Sequence, residues 1–365
     1  MQPSKKLYTK WGNFTMNISI IGAAGEVGRS LATHLLRSGL MSTTDELQLV
    51  GHGVQGTERT VLAERVDLLD AFDETAPRIR VAATPEEVTG NIVVMTAGAT
   101  VSKQTRTRRE LAAMNRPIFE AFAAAFARSE TGQEGVVVVV TNPVELGVEI
   151  FSRHLDRHRV LGMVAQQDSL RFARAVANSV SVRRDRVHAW VLGEHGEGQV
   201  PLWSSVRLLG GSSEEDKQRI EELRARRRLS YLPSEVEHHK QRMFELLADE
   251  RIREAFDAVE ALPPDVRGML EPFITAHCLH STPNATANAT LDVIRALCSA
   301  RESVVGAQIR LEGEVYGLSA PIGVPVLVDT GGWSRVVCPT LSDEEAGRLA
   351  VVAEAIQANL AQWTS

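Results

Sequence analysis

The sequence predicts an α/β protein: a doubly wound, mostly parallel sheet followed by a second, α+β region. Three observations predict it. Short apolar runs alternate with helical stretches over residues 17–160, as in a parallel sheet covered on both faces. One run, GVVVVVTNP (135–143), holds five consecutive valines, which suits a central strand buried on both sides. Beyond about residue 160 the alternation gives way to isolated strands, glycine-rich turns and a long charged helical stretch.

Taken in order, NISIIG (17–22) is the first strand, and EVGRSLATHLLRSG (26–39) a helix with Val27, Leu31, Leu35 and Leu36 at helical spacing. Strands follow at LQLVG (47–51) and NIVVMTAG (91–98), then a helix over 108–129 and the valine strand. RVHAWVLG (186–193) reads as a strand, and residues 212–262 as a mostly solvated helical excursion dense in charge. A helix over 283–298, strand-like QIRLEGEVYG (308–317) and PVLVDTGG (325–332), and a closing amphipathic helix complete the chain. The last helix opens with a Ser342–Glu345 capping box and carries Leu349, Val352, Ile356 and Leu360 as its stripe. The division expected is an N-terminal extension (1–15), since Met16 opens a natural first strand, then domains at 16–160 and 161–365.

With 365 residues and a net charge of −6, nothing in the overall charge points to nucleic acid or anionic membranes. Cys278, Cys298 and Cys338 are too few and scattered for a disulfide framework or a metal knuckle, and are read as packing residues in a reducing, cytoplasmic setting. No apolar run reaches the roughly 20 residues a membrane span needs. The first 15 residues lack the apolar core of a secretory signal.

The first strand runs into Gly22-Ala-Ala-Gly25-Glu-Val-Gly28, which opens a helix. Such a turn lets backbone N–H groups approach a pyrophosphate at the positive helix end, so the first domain is expected to be of Rossmann type and to bind a dinucleotide. Ala23 stands at the first glycine position of the usual GxGxxG. The second strand ends at Gly51 and His52, where an acid would hold the ribose of NAD. Gly51 removes the repulsion of a 2′-phosphate, and His52, Gln55, Thr57 or Arg59 supply donors, so NADP stands beside NAD as the expected cofactor.

Four further segments carry polar groups. Asn142 ends the valine strand; Asp168 and Arg171 lie three apart on one helical face; His195 sits between glycines after a strand; and SKQTRTRREL (102–111) is basic. Singly, each fits an ordinary ion pair, turn or solvated cluster. Together they fit hydride transfer at C2 of a hydroxy acid. Imidazole is the natural acid/base near neutral pH, an Asp fixes its tautomer, and a guanidinium binds a carboxylate bidentately. A loop arginine polarises the carbonyl, and Asn142 holds either the substrate oxygen or the nicotinamide ribose.

At these residues the chain resembles the lactate/malate dehydrogenase family. GAAGEVG, VTNPVE, DSLRFARAVA and GEHGEGQVPLWS look like that family's segments in its order, and the likeness covers about 16–365. The resemblance implies His195 and Asp168 as the proton-transfer pair, Arg171 for the carboxylate, and Asn142 at substrate and cofactor. It places Thr282 beside the substrate, Asn115 near the cofactor and Arg108 at the carbonyl, with Arg106 or Arg109 as alternatives because the loop is one residue longer. The position that reads a second carboxylate falls on Val101 or Ser102, neither basic, which opens a monocarboxylic substrate beside malate/oxaloacetate. The connection from His195 to Thr282 is longer than usual, and Gln167 replaces the usual leucine before Asp168. A homodimer or homotetramer is implied as well.

Two other enzyme classes lack their signatures. None of Tyr8, Tyr231 or Tyr316 has a lysine four residues on, as a short-chain dehydrogenase requires, and no HExxH occurs. His277, Cys278 and His280 fit a polar helix face better than a metal site. A dinucleotide-binding protein without turnover is the remaining alternative.

Overall fold

Parallel pairing of apolar runs builds the first half of the molecule. A computed structural model describes residues 16–51, 57–99, 107–211, 213–279, 281–299 and 301–364. Strand β1 (Asn17–Ile21) leads through a glycine turn into α1 (Glu26–Arg37), then β2 (Glu46–Val50), α2 (Thr57–Ala71), β3 (Arg78–Ala82) and β4 (Ile92–Met95). Helix α3 (Arg108–Arg128), β5 (Val136–Val139), α4 (Val144–His154), β6 (Val160–Gly162) and α5 (Val164–Ser179) follow. These strands lie in the order β3-β2-β1-β4-β5-β6, all parallel. Register aligns Ile20 with Leu49 on one side and Val94 on the other, and Val94 with Val138, all four without exposed surface.

The second half continues the same sheet with antiparallel strands. Here β7 (Val187–Gly193) pairs with β8 (Gln199–Leu208), and helices α6 (Glu214–Ala225), α7 (Leu232–Ala248), α8 (Ile252–Glu260), α9 (Pro264–Leu279) and α10 (Pro283–Cys298) intervene. Strand β9 (Ser303–Arg310) joins β6 at the sheet's turning point and pairs with β10 (Pro321–Asp329), which also meets β7 and β11 (Gly332–Val336). Helix α11 (Asp343–Thr364) closes the chain. Ser342 and Glu345 cap each other as the sequence predicts, and Leu349, Val352, Ile356 and Leu360 are buried.

Several expectations change. Residues 308–317 leave the strand at Arg310, because Gly313, Tyr316 and Gly317 take positive φ. The stretch 212–262 is broken into separate helices and is only partly solvated. α6 buries Ile220 alone, whereas Leu232, Val236, Met243, Leu246, Leu247 and Val259 of α7 and α8 join the main core. Cys278 is exposed and so is not a packing residue, while Cys298 and Cys338 are half-buried thiols. Burial pushes those two thiols up to about 12 and about 11.

The order of β1 and β4 about the chain reversal leaves a crevice beyond their carboxyl ends, where open α/β sheets bind ligands. Gly22, Gly98, Asn142 and His195 each follow the end of a strand: β1, β4, β5 and β7 respectively.

Candidate active site

The glycine turn is shaped by close backbone approach. Gly22 has φ 85°, and a Cβ on it would lie 2.5 Å from the backbone N of Ala97. A Cβ on Gly28 would lie 2.5 Å from the Gly22 carbonyl oxygen, so α1 packs tightly on the turn. Gly25 caps α1 with no side chain closing its first turn, which leaves helix N–H groups for an anion. Gly51 is buried after β2, and a Cβ there would stand 3.3 Å from Oγ1 of Thr57.

Two loops at the neighbouring strand ends are braced by Asn115, which is wholly buried on α3. Its Nδ2 donates to the carbonyls of Asn142 (2.6 Å) and Ala99 (3.1 Å), while its Oδ1 accepts from Ala99 N–H at 2.7 Å. Asn142 itself keeps a buried Oδ1 without a hydrogen-bond partner among the described residues. A buried acceptor left open is costly unless a ligand donor meets it, and a ribose or substrate hydroxyl supplies one. The cradle, the open helix end and this acceptor fit a dinucleotide.

Asp168 divides its two oxygens between the groups beside it on α5 and after β7. Nδ1 of His195 lies 2.9 Å from Oδ2, and Arg171 NH1 donates to Oδ1 at 3.1 Å. An ionised carboxylate only accepts, so Nδ1 carries the hydrogen and Nε2 is left for proton transfer. Burial draws the Arg171 pKa down and the adjacent Asp168 charge draws it back up. Arg171 NH2 also donates to Thr282 Oγ1 at 3.1 Å, and Gln167 Nε2 donates to Thr286 Oγ1 at 3.2 Å and reaches Thr282 Oγ1 at 3.4 Å. One hydrogen-bonded network thus joins His195, Asp168, Arg171, Thr282, Gln167 and Thr286.

Arg108, the first residue of α3, lies over the turn that carries His195. Its NH1 donates to the His195 carbonyl, and its NH2 donates to Glu145 Oε2 at 2.9 Å. Glu194 Oε1 is 3.1 Å from the same NH2, yet among the described residues no donor reaches it in hydrogen-bonding alignment. Burial pushes the Glu194 carboxyl up to about 7 against the pull of Arg108. From the helices after β8, Lys240 pairs with Glu197 of the same turn.

A family profile described as the NAD-binding domain of lactate/malate dehydrogenase matches residues 16–162. The L-lactate dehydrogenase 1 of Enterococcus faecalis is 26% identical over 350 residues, covering 95% of this chain and 94% of that protein. The chain is thus similar to lactate and malate dehydrogenases, and its residues 16–162 match that family's NAD-binding domain. The malate dehydrogenase of Natronomonas pharaonis is 32% identical over 212 residues, 56% of this chain. Matched stretches span only 66% of that enzyme and 62% of the malate dehydrogenase of Halobacterium salinarum. The fold is that of this family's solved structures. The lactate dehydrogenase of Cryptosporidium parvum, solved with lactic acid and nicotinamide adenine dinucleotide, superposes with a TM-score of 0.76 at 19% identity, over 97% of this chain and 99% of that one.

The residues expected from sequence fall into two groups. The structure brings His195, Asp168, Arg171 and Thr282 into one network, and Asn115 and Asn142 into another. Ser102, His52, Gln55, Lys103, Arg106 and His280 lie outside the described residues. Arg108 is anchored on protein partners instead of standing clear in the loop. Sequence reasoning missed Glu145 and Glu194, both buried, although each sits inside a quoted motif, VTNPVE and GEHG. The signal was a carboxylate adjoining an apolar run and a catalytic turn. Among the described residues no cluster of His, Cys, Asp or Glu is arranged to hold a metal, and no helix is long and apolar enough to cross a membrane.

Proposed function

We propose that this chain moves a hydride between a nicotinamide cofactor and C2 of a small 2-hydroxy/2-oxo acid, with His195 as acid/base. The observation that carries the reading is Asp168 bridging His195 and Arg171, each contact near 3 Å. It sets a proton-transfer group and a carboxylate receptor a fixed distance apart, as the reaction needs.

Arg171, nearly buried and held by Asp168, receives the substrate carboxylate, with the Thr282 hydroxyl beside it. In reduction, protonated His195 gives its Nε2 hydrogen to the carbonyl oxygen as C2 takes up hydride; in oxidation Nε2 accepts the hydroxyl hydrogen. Asp168 holds Nδ1–H throughout and stabilises the imidazolium. A bound nicotinamide supplies or accepts the hydride. Gly22, Gly25 and Gly28 hold the pyrophosphate, with Asn142 at the ribose or substrate oxygen. Arg108 has five N–H donors, and those not spent on His195 and Glu145 serve the developing oxyanion.

On this reading residues 16–160 bind the dinucleotide and 161–365 complete the acid site. Gly51 in place of an acid favours acceptance of NADP beside NAD. The substrate is malate/oxaloacetate or a lactate-like monocarboxylate, handled by a homodimer or homotetramer. Mixing the protein with NADH or NADPH and a panel of 2-oxo acids tests the reading through loss of nicotinamide absorbance. Consumption with at least one acid is expected; cofactor binding without consumption by any acid rejects it.

A further inference from the structure

The turn that carries His195 is intrinsically loose. Gly193 and Gly196 flank it with φ 95° and 104°, conformations that side chains would otherwise restrain. Asp168 fixes the imidazole at Nδ1 alone, which leaves the main chain of residue 195 to be held by something else.

Glu145 stands where that restraint is needed. It sits in the first turn of α4 and is completely buried. Its Oε1 accepts the His195 N–H at 3.0 Å, and its Oε2 accepts from Arg108 NH2 at 2.9 Å. Arg108 in turn donates through NH1 to the His195 carbonyl, and a Cβ on Gly196 would lie 3.3 Å from that nitrogen. The N–H and C=O of one residue are therefore gripped by two side chains that also bind each other.

We infer that Glu145 is a positioning residue for the proposed reaction, clamping the main chain of His195 through its own carboxylate and through Arg108. Glu194 adds a second buried carboxylate against the same guanidinium, so Arg108 faces two acids within about 3 Å. A buried charge is a poor device for stability alone, because an apolar side chain of similar size often serves as well. Its use here is geometric: three elements, the start of α3, the start of α4 and the turn after β7, are locked to one peptide unit. Small misplacement of a reacting group is enough to slow a reaction severely.

This inference rests on the proposed reaction for its kinetic consequence but not for its structural one, and the experiment separates them. Glu145→Gln keeps an acceptor for the His195 N–H and loses the charge facing Arg108; Glu145→Ala loses both. With the oxo acid that the wild type reduces, kcat is expected to fall by about tenfold in the first and about a hundredfold in the second, with KM and the NADH dissociation constant within about threefold of wild type. Folded variants that keep kcat within about twofold, or that lose cofactor binding in step with kcat, overturn the clamp. Amide hydrogen exchange at His195 tests it without turnover. The wild-type N–H is expected to be protected despite its glycine-flanked turn; exchange as fast as in an open loop overturns the clamp even if the variants fail to fold. A wild type that reduces no oxo acid defeats the reaction, and the exchange result still decides the clamp.

Discussion

Nδ1 of His195 lies 2.9 Å from Oδ2 of Asp168, and that one contact sets the tautomer on which the proposed chemistry depends. Asp168 is itself held by Arg171 and almost without exposed surface, so its negative charge is shared by an imidazole and a guanidinium. Asp168→Asn is expected to lower kcat by about two to four orders of magnitude, the range of a lost acid/base function. It also leaves Arg171 buried without its partner, which costs about 3–5 kcal/mol of stability. Steady-state kinetics and thermal unfolding of the variant check both; a variant as active and as stable as wild type contradicts the assignment.

Arg171→Lys separates charge from shape. The ammonium keeps the positive charge but has no planar fork for a carboxylate, and it does not span both Asp168 and Thr282 as the guanidinium does. The KM for the oxo acid is expected to rise about 10- to 100-fold, the loss of one charged hydrogen bond of about 1.5–3 kcal/mol. NADH affinity is expected to stay near wild type. An unchanged KM means that the carboxylate is bound elsewhere.

Glu194 makes stability depend on pH. Between its ordinary value of 4.5 and about 7, the folded protein holds a proton here that the unfolded chain has released. The folded state therefore binds more protons in that window, and stability falls as pH rises through it. Glu194→Gln stays neutral at every pH and is expected to flatten this decline, gaining stability relative to wild type as pH climbs from 4.5 to about 7 and no further above it. Denaturant unfolding at a series of pH values measures it; parallel curves for the two proteins refute the shift.

The end of β2 predicts cofactor choice. Gly51→Asp places a carboxylate where a 2′-phosphate would sit, with Thr57 Oγ1 only 3.3 Å from the new Cβ. NADPH kcat/KM is expected to fall by about tenfold or more relative to NADH, since like charges a few ångströms apart repel by 1 kcal/mol or more, at roughly the dielectric of a protein surface. No change in the ratio places the 2′ position away from Gly51.

The fold was legible where one physical signal dominated. Five consecutive valines mark β5 as buried on both faces, and the glycine spacing after β1 marks the turn beneath a helix. Asp168 and Arg171 were legible because a three-residue spacing on a helix puts side chains together. α2 and β3 were not, and the reason is burial. α2 buries only Val61 and Leu68, and β3 is an edge strand whose Arg78 and Arg80 face outward, so neither has a strong apolar period. β8 was hidden by Pro201 in its interior, although its residues 199–203 are buried. Glu145 escaped notice because a glutamate in a first helical turn ordinarily complements the helix dipole at the surface. Only the tertiary contact with His195 and Arg108 shows what it touches, and no spacing along the chain encodes that.

The central claim is tested most directly by His195→Asn in single-turnover mixing with reduced nicotinamide cofactor and the best 2-oxo acid. The account predicts that cofactor binds as in wild type while hydride transfer slows by about two to four orders of magnitude, with the wild-type rate following a single group that must be protonated for reduction. Transfer at an undiminished rate in the variant would contradict it.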